Sequence, residues 1–407
     1  MSNFIPQDKI IRPSARKASG VPIAEAKTFF CDVKFTDVRL SLMRRKWKLK
    51  RPPKRKENFK TNASKQRNNK DKHSDVDFLW RNYRRIEFDN IRENQYVNHL
   101  QGITSLSIKS NLWTNLSQNK RIRLPYTVVV KDFKNEKAEI FQKLSIQKLI
   151  LNGPQEQEDV DSTTKIQNVT ETKMFIIKPV ASSRGRGIEV VSSARELEFF
   201  LSQATDAKPM VVQRYISNPS LIKKHKFDIR LWVLISSINP LRVYTFNQPY
   251  ARLSNYEFTL LDNNKLIHLT NNSIQSKQDE TLRTSNSSAT DAKMLSCQEL
   301  IDYYGVDIWR NTIYKQLKEQ SYFAIEQVLP LLTRTGKGFE LLGFDYMLDE
   351  DLNAYLIEVN LDPDQSHSTV VTRDIVPKCI DSAVEIITED SNINDGQRNS
   401  FWDSATA

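Results

Sequence analysis

Cysteine and histidine are scarce in this chain, at three and five of 407 residues. Cys31, Cys297 and Cys379 are odd in number and far apart, with no metal-ligand spacing. They argue against a disulfide framework and for a reducing compartment. His73, His99, His225, His268 and His367 form no ligand cluster. No apolar run approaches the roughly 20 residues of a membrane helix. Met1 to Gly20 lacks the apolar core of a signal peptide. The Walker loop Gly-x-x-x-x-Gly-Lys-Ser/Thr, the dinucleotide fingerprint and the protein-kinase loops are all missing. No segment repeats. With 39% hydrophobic residues, what is left is a soluble globular chain with room for two or three domains.

Charge is present but uneven. The net charge is +11, and between Arg44 and Lys72 fourteen Lys or Arg face only Glu57 and Asp71. That stretch alone carries the excess, and the remainder is close to neutral. A concentrated basic stretch attracts a polyanion such as nucleic acid, an anionic membrane or an acidic protein tail. The plainer reading is a solvated linker or an import patch. Arg51-Pro52-Pro53-Lys54 breaks any helix there. Trp47 and Phe59 are the only aromatics of the stretch, too few for base stacking, so nucleic acid is the weakest partner.

Residues 1–25 read as a leader, and an N-terminal module over 26–151 contains the basic linker 44–72. Its expected elements are a strand near Thr28–Phe35, a helix near Asp37–Trp47, strands at Val76–Trp80 and Pro125–Val130, and a helix over Glu136–Leu151. Residues 152–172 are polar and read as a loop. A central module over 174–226 runs strand, Gly-rich turn, strand, helix (Ser193–Ser202), strand (Met210–Ile216). A C-terminal module over 227–390 opens with a strand over Phe227–Ile238. A polar loop (276–293), a helix near Asp307–Leu332, a hairpin and a helix near Ile375–Ile387 follow. Residues 391–407 read as a frayed tail.

Four segments carry groups suited to chemistry. Strand-like Phe175–Lys178 leads into Ser182-Ser183-Arg184-Gly185-Arg186-Gly187. There Gly185 and Gly187 allow close backbone approach to phosphate, and Lys178 and Arg184 supply charge. An ordinary hairpin is an equal reading of that turn. Val211-Val212-Gln213-Arg214-Tyr215-Ile216 is an apolar strand with a polar switch, as a base-binding slot needs. Lys226, Asp228 and Arg230 alternate on a strand and share one face, which points to a charged ligand or to a surface face. Asp345, Glu358 and Asn360 lie on two apolar strands of a hairpin. They suit Mg²⁺, or they line the solvent side of that hairpin. Arg252 offers a fork for a carboxylate. His268 is given no role.

Taken in order, these pieces resemble the tubulin–tyrosine ligase-like family. The likeness runs through Lys178-Pro179, Ser183-Arg184-Gly185-Arg186-Gly187-Ile188, Gln213-Arg214-Tyr215-Ile216 and Lys226-Phe227-Asp228-Ile229-Arg230. It continues through Arg252, His268-Leu269-Thr270-Asn271, Phe339-Glu340, Gly343-Phe344-Asp345 and Glu358-Val359-Asn360. It spans roughly residues 75–390; Asn98-His99 and Lys109–Leu116 also fit. The resemblance implies an α+β, ATP-grasp fold with antiparallel-rich sheets and flanking helices in three domains. It implies that Lys178, Arg184, Gly185, Gly187, Gln213, Arg214, Tyr215, Ile216, Lys226, Asp228 and Asn271 hold ATP. Asp345, Glu358 and Asn360 would hold two Mg²⁺, and Arg252 and Ser273 the incoming amino acid. Lys178, Arg184, Arg230 and Glu358 would be the catalytic set. The family joins an amino acid to acidic tubulin tails at the expense of ATP. The protein carboxylate attacks the γ-phosphate, and the amine of the amino acid displaces phosphate from the acyl phosphate. A monomer acting on microtubules in the cytoplasm, at the cytoskeleton, cilium or basal body, is implied, with no membrane partner.

Asn271-Asn272-Ser273-Ile274-Gln275 is closer to the glycine-adding members, so glycine is favoured slightly over glutamate, with tyrosine third. A polyglutamylase and a catalytically weak microtubule-binding member are the alternatives. Two features depart from the family. Asn360-Leu361-Asp362-Pro363-Asp364 stands where Asn-x-Ser-Pro-Ser is usual, and Lys223-Lys224-His225 replaces glycines. Extra carboxylates beside the metal ligands would raise metal affinity or repel phosphate.

Overall fold

The computed structural model describes residues 26–50, 75–144, 174–182, 185–275, 294–389 and 400–405. The expected leader (1–25), most of the basic stretch, the loops 152–172 and 276–293, and the end of the helix Glu136–Leu151 lie outside these residues. No helix among the described residues is long and apolar enough to cross a membrane.

Three sheets organise the chain. The first contains β1 (Thr28–Cys31), β2 (Lys48–Leu49), β3 (Phe78–Trp80) and β4 (Tyr96–Val97), all parallel. Its pairing is parallel throughout, whereas the other two sheets are antiparallel, as expected. This first sheet corrects the reading of residues 44–72 as linker throughout. Trp47 is buried beside Phe78, and Lys48–Leu49 is a strand, so the basic stretch begins inside the fold.

The second sheet is antiparallel, in the order β5 (Thr127–Val130), β8 (Met210–Arg214), β6 (Phe175–Pro179), β7 (Glu189–Val191). Helices Phe133–Lys143 and Ala194–Leu201 cover it with Phe141, Leu197 and Leu201. The second of these helices is begun by Ser193 and Glu196, which exchange reciprocal capping bonds.

The third sheet is built around β10 (His225–Ile238). It is joined by β9 (Leu221–Ile222), β11 (Leu241–Phe246), β12 (Tyr250–Glu257) and β13 (Met294–Leu295). A short β14 (Lys337–Gly338) returns to the first sheet beside β4, while β15 (Glu340–Leu348) and β16 (Ala354–Asn360) complete the hairpin on β10. Residues 401–405 are not frayed. Trp402 is buried, and β17 (Trp402–Ser404) pairs with β11.

The two-residue period of β10 explains how the site is placed. Phe227, Ile229, Leu231, Val233 and Ile235 enter one core, with Leu342 and Phe344 of β15 and Leu112 and Leu116 of the helix Lys109–Leu116. Trp232 and Leu234 enter a second core, against Ile375, Val376 and Cys379 of the helix Val370–Glu389. Burying each such aliphatic side chain contributes about 1.5–3 kcal/mol. Lys226, Asp228 and Arg230 occupy the same face as Trp232 and Leu234. That face is apolar at one end and charged at the other, so packing on the apolar end fixes where the charges stand.

One turn beside the site is strained. Ile222 pairs with His225, so Lys223 and Lys224 form the two-residue loop between β9 and β10, at φ +50° and +67°. Two positive φ values favour Asn-Gly, and a side chain there costs about 1–2 kcal/mol. This gives a physical reason for glycine at these positions. Replacing Lys223-Lys224 by Asn-Gly is expected to raise stability by about 1 kcal/mol after the chain-entropy cost of glycine. A denaturation midpoint unchanged or lowered in urea would refute the turn assignment.

Candidate active site

Cross-strand register brings the charged residues together. Asp228 on β10 stands opposite Arg252 on β12, Arg230 opposite Asp345 on β15, and Asp345 opposite Glu358 on β16. Arg230 donates to Asp345 through Nε (2.5 Å) and Nη2 (3.1 Å). Arg252 reaches Asp228 through Nε at 2.6 Å and Asp345 through Nη2 at 2.9 Å. The Thr270 hydroxyl donates to the second oxygen of Asp228. All four charged side chains are buried. Burial alone would push the Asp345 carboxyl up, but the Arg230 and Arg252 guanidiniums outweigh it and hold it below the carboxylate range. Gly343 makes room for this arrangement, since a Cβ there would lie 3.2 Å from Arg230 Cδ and 3.0 Å from Pro363.

Asn360 ties the hairpin oxygens to one another. Its Nδ2 donates to Asp345 Oδ2 at 3.1 Å and to Glu358 Oε1 at 3.3 Å. The register shifts at Ile357: Asp345 faces Glu358, but Tyr346 faces Leu356. This bulge turns Ile357 as well as Glu358 toward the neighbouring cavity. Burial, then the charge of Asp345, pushes Glu358 up from its ordinary value.

Two lysines stand across from these oxygens. Lys178 on β6 donates to Gln213 Oε1 at 2.8 Å, and Gln213 donates to Thr127 Oγ1 at 3.1 Å. Lys226 donates to Tyr215 Oη (2.9 Å) and to the His268 carbonyl (2.8 Å). Burial lowers Lys178 to about 8, partly opposed by Glu358. It lowers Lys226 to about 7, helped by the charge of Lys178. Between them lies a cavity of about 60 Å³. Lys178, Lys226, Asp228, Asp345 and Glu358 line it on the polar side, and Ile176, Ile188, Leu269 and Met347 on the apolar side. A neighbouring cavity of about 240 Å³ is bounded by Arg230, Arg252, Asn271, Ser273, Glu358 and Asn360, with Asp362 and Asp364 on its wall.

The structure therefore brings Lys178, Gln213, Lys226, Asp228, Arg230, Arg252, Asn271, Ser273, Asp345, Glu358 and Asn360 to one place. Gly185 and Gly187 both take positive φ; the first packs on Ile274 and Asn271, the second on Pro179. The Tyr215 hydroxyl bonds to His268 Nδ1 at 2.7 Å. The Arg214 side chain points elsewhere: it is exposed and stacks over Tyr126. Ile216 is half-buried and borders none of these cavities. Arg184 lies outside the described residues.

Sequence reading gave no role to two groups. The Lys109 ammonium donates to the Ser182 carbonyl and stands within the field of Glu358, while burial lowers it. Lys109, Leu112 and Leu116 follow an i, i+3, i+7 pattern, so helical period was a usable signal that this lysine faces inward. Thr270 gave no comparable signal. The unusual acids are accounted for separately. Asp362 accepts from Asn82 Nδ2 at 3.1 Å and lies 3.5 Å from His99 Nε2. Asp364 accepts from the Ser366 backbone N (3.2 Å) and Oγ (2.9 Å).

Comparison with known proteins gives a consistent set. A profile of the family described as Tubulin-tyrosine ligase family matches residues 88–394. Tubulin glycylase 3D of Tetrahymena thermophila is 31% identical over 236 residues, 54% of this chain and 21% of that protein. Tubulin monoglutamylase TTLL4 of Mus musculus is 31% identical over 288 residues, 68% of this chain and 22% of that protein. Protein monoglycylase TTLL8 of Mus musculus is 31% identical over 255 residues, 60% of this chain and 30% of that protein. The chain thus spans less than a third of the length of these curated relatives.

Removing one partner from a buried ion network leaves a charge uncompensated. Arg230→Met is expected to lower stability by about 3 kcal/mol, read as a shift in the urea midpoint. A loss below about 1 kcal/mol would mean that water reaches Asp345 and that the network is not closed.

Proposed function

The chain belongs to the tubulin–tyrosine ligase family, and on that premise we propose that it is an ATP-dependent carboxylate–amine ligase. It would join a free amino acid to glutamate side chains of tubulin C-terminal tails, forming ADP and phosphate. One observation carries this reading: Asp345, Glu358 and Asn360 converge on adjacent strands, facing two buried lysines across a small cavity.

Two carboxylates and an amide fit Mg²⁺, which completes its shell with substrate phosphates. Among the described residues no group of three or more His, Cys, Asp and Glu is suited to hold a metal unaided. When bound, Mg²⁺ (two ions in our reading) would neutralise charge on the transferred phosphoryl group. The remaining work falls to the chain. Lys178 and Lys226, with Lys109 nearby, would hold phosphate oxygens, and the turn carrying Arg184, Gly185 and Gly187 would cover them. Ile176, Ile188, Leu269 and Met347 would wall the base, with Asn271 nearby. Arg230 keeps Asp345 ionised. Asp228 orients Arg252, which with Ser273 would hold the carboxylate of the incoming amino acid.

The acceptor carboxylate then attacks the γ-phosphorus, ADP leaves, and the amine displaces phosphate from the acyl phosphate. Positioning and electrostatics supply the acceleration, with no nucleophilic side chain required. A nucleotide held this way would lie in the cleft between the sheet of β5–β8 and strands β10, β15 and β16. Domains over 26–151, 174–226 and 227–390 around that cleft, a monomeric state, and a cytoskeletal or ciliary location belong to the same proposal. Glutamate addition is the second reading, favoured by the likeness to a tubulin monoglutamylase.

Incubation with tubulin, Mg-ATP and labelled glycine or glutamate is expected to yield labelled tails and ADP. Incorporation of neither would sink the proposal, and Glu358→Gln is expected to reduce turnover at least a hundredfold with the fold intact. Nucleotide binding is also expected to take up protons. Burial lowers Lys178 to about 8 and Lys226 to about 7, so at pH 8 both are partly neutral, and bound phosphates favour the charged forms. Uptake of about one proton at pH 8, falling toward zero at pH 6, should appear in calorimetry run in buffers of different ionisation enthalpy. Uptake independent of pH would mean that these lysines do not meet the phosphates.

A further inference from the structure

The cavity assigned to the incoming amino acid is lined by groups of both signs. Arg230 and Arg252 are both already committed to the carboxylates of Asp228 and Asp345. Asp362 and Asp364 line the same space. Asp362 is tied to Asn82 and faces His99. Asp364 is exposed, and among the described residues its oxygens accept from Ser366. Among the described residues no lysine, arginine or histidine is recorded in an ion pair with Asp364. The space, about 240 Å³, admits glycine and glutamate alike, so size does not choose between them.

Charge does choose. The guanidinium edge offers a place for one α-carboxylate. A glutamate would bring a second carboxylate into a cavity whose arginines are already paired and whose lining also carries Asp362 and Asp364. Glycine has no such group. We infer that Asp364, supported by Asp362, is a specificity determinant that rejects amino acids with an anionic side chain, so that the transferred substrate is glycine or another small neutral amino acid. This rests on the ligase reading above.

The test is competition. Glycine and glutamate are supplied together at equal concentration with one tubulin acceptor, and the tails are read by mass spectrometry. Repulsion between Asp364 and the acidic acceptor acts on both reactions equally and cancels in the ratio. The wild type is expected to favour glycine at least tenfold. Asp364→Arg is expected to shift the ratio at least tenfold toward glutamate, with Asp364→Asn between them. Equal use of both amino acids by the wild type, or a ratio that Asp364→Arg does not move, overturns the inference. If neither is incorporated, the ligase reading fails instead. Equilibrium binding of the two labelled amino acids, with a non-hydrolysable ATP analogue present, then decides the pocket: glycine binding with glutamate excluded supports the inference, and equal binding overturns it.

Discussion

The buried chain of charges Asp228–Arg252–Asp345–Arg230 is the interaction on which the site depends. Four ionised groups inside a sheet lose their hydration, and only close pairing makes that tolerable. The pairing is available because β12, β10 and β15 are adjacent and in register at these residues. Gly343 leaves room for Arg230, where a Cβ would crowd it. The network in turn sets the direction of Asp345, and Asn360 couples that direction to Glu358. A slip of one residue in β15 would carry Asp345 into the apolar core and bring Phe344 or Tyr346 to the site. Packing of Leu342, Phe344 and Tyr346 against β10 therefore protects the chemistry by holding the register.

The two lysines show the opposite condition. Lys178 and Lys226 are buried with neutral acceptors: a glutamine, a tyrosine hydroxyl and a carbonyl. Their lowered pKa values express an unmet demand for negative charge. A polyphosphate would satisfy that demand. The carboxylate side of the cavity is balanced by arginines, while the lysine side is not, and that asymmetry gives a ligand its orientation.

Much of this was legible in the chain because it is local. Alternation put Lys226, Asp228 and Arg230 on one face, and spacing paired Glu358 with Asn360. The hairpin, the central strands and most helices follow from the same periodicities. What was not legible is non-local. The bulge at Ile357 depends on the partner strand, and the inward turn of Lys109 needs the neighbouring β6 loop. The parallel pairing of β1–β4 and the docking of β17 on β11 join segments that carry no short-range turn signal. Likewise Lys48–Leu49 read as part of a basic linker because charge dominates its composition, yet two backbone rungs with β1 suffice to order it.

Asp362 shows how the first sheet enters the chemistry while standing apart from the proposed nucleotide contacts. Asn82 and His99 lie in the region of β3 and β4, and both face Asp362. His99 also meets the buried carboxylate of Glu340 at 2.8 Å, at the start of β15. Burial works against the charged imidazole, but Glu340 and Asp362 win and raise His99 to about 9. A positive His99 between two carboxylates holds the beginning of β15 and the loop after β16 to the same support. The segment that follows Asn360 is thus fixed at Asp362 and comparatively unconstrained at Asp364. One acid serves structure, and its neighbour two residues on is left to present charge to the cavity. Asp362 and Asp364, two residues apart, therefore have different physical consequences.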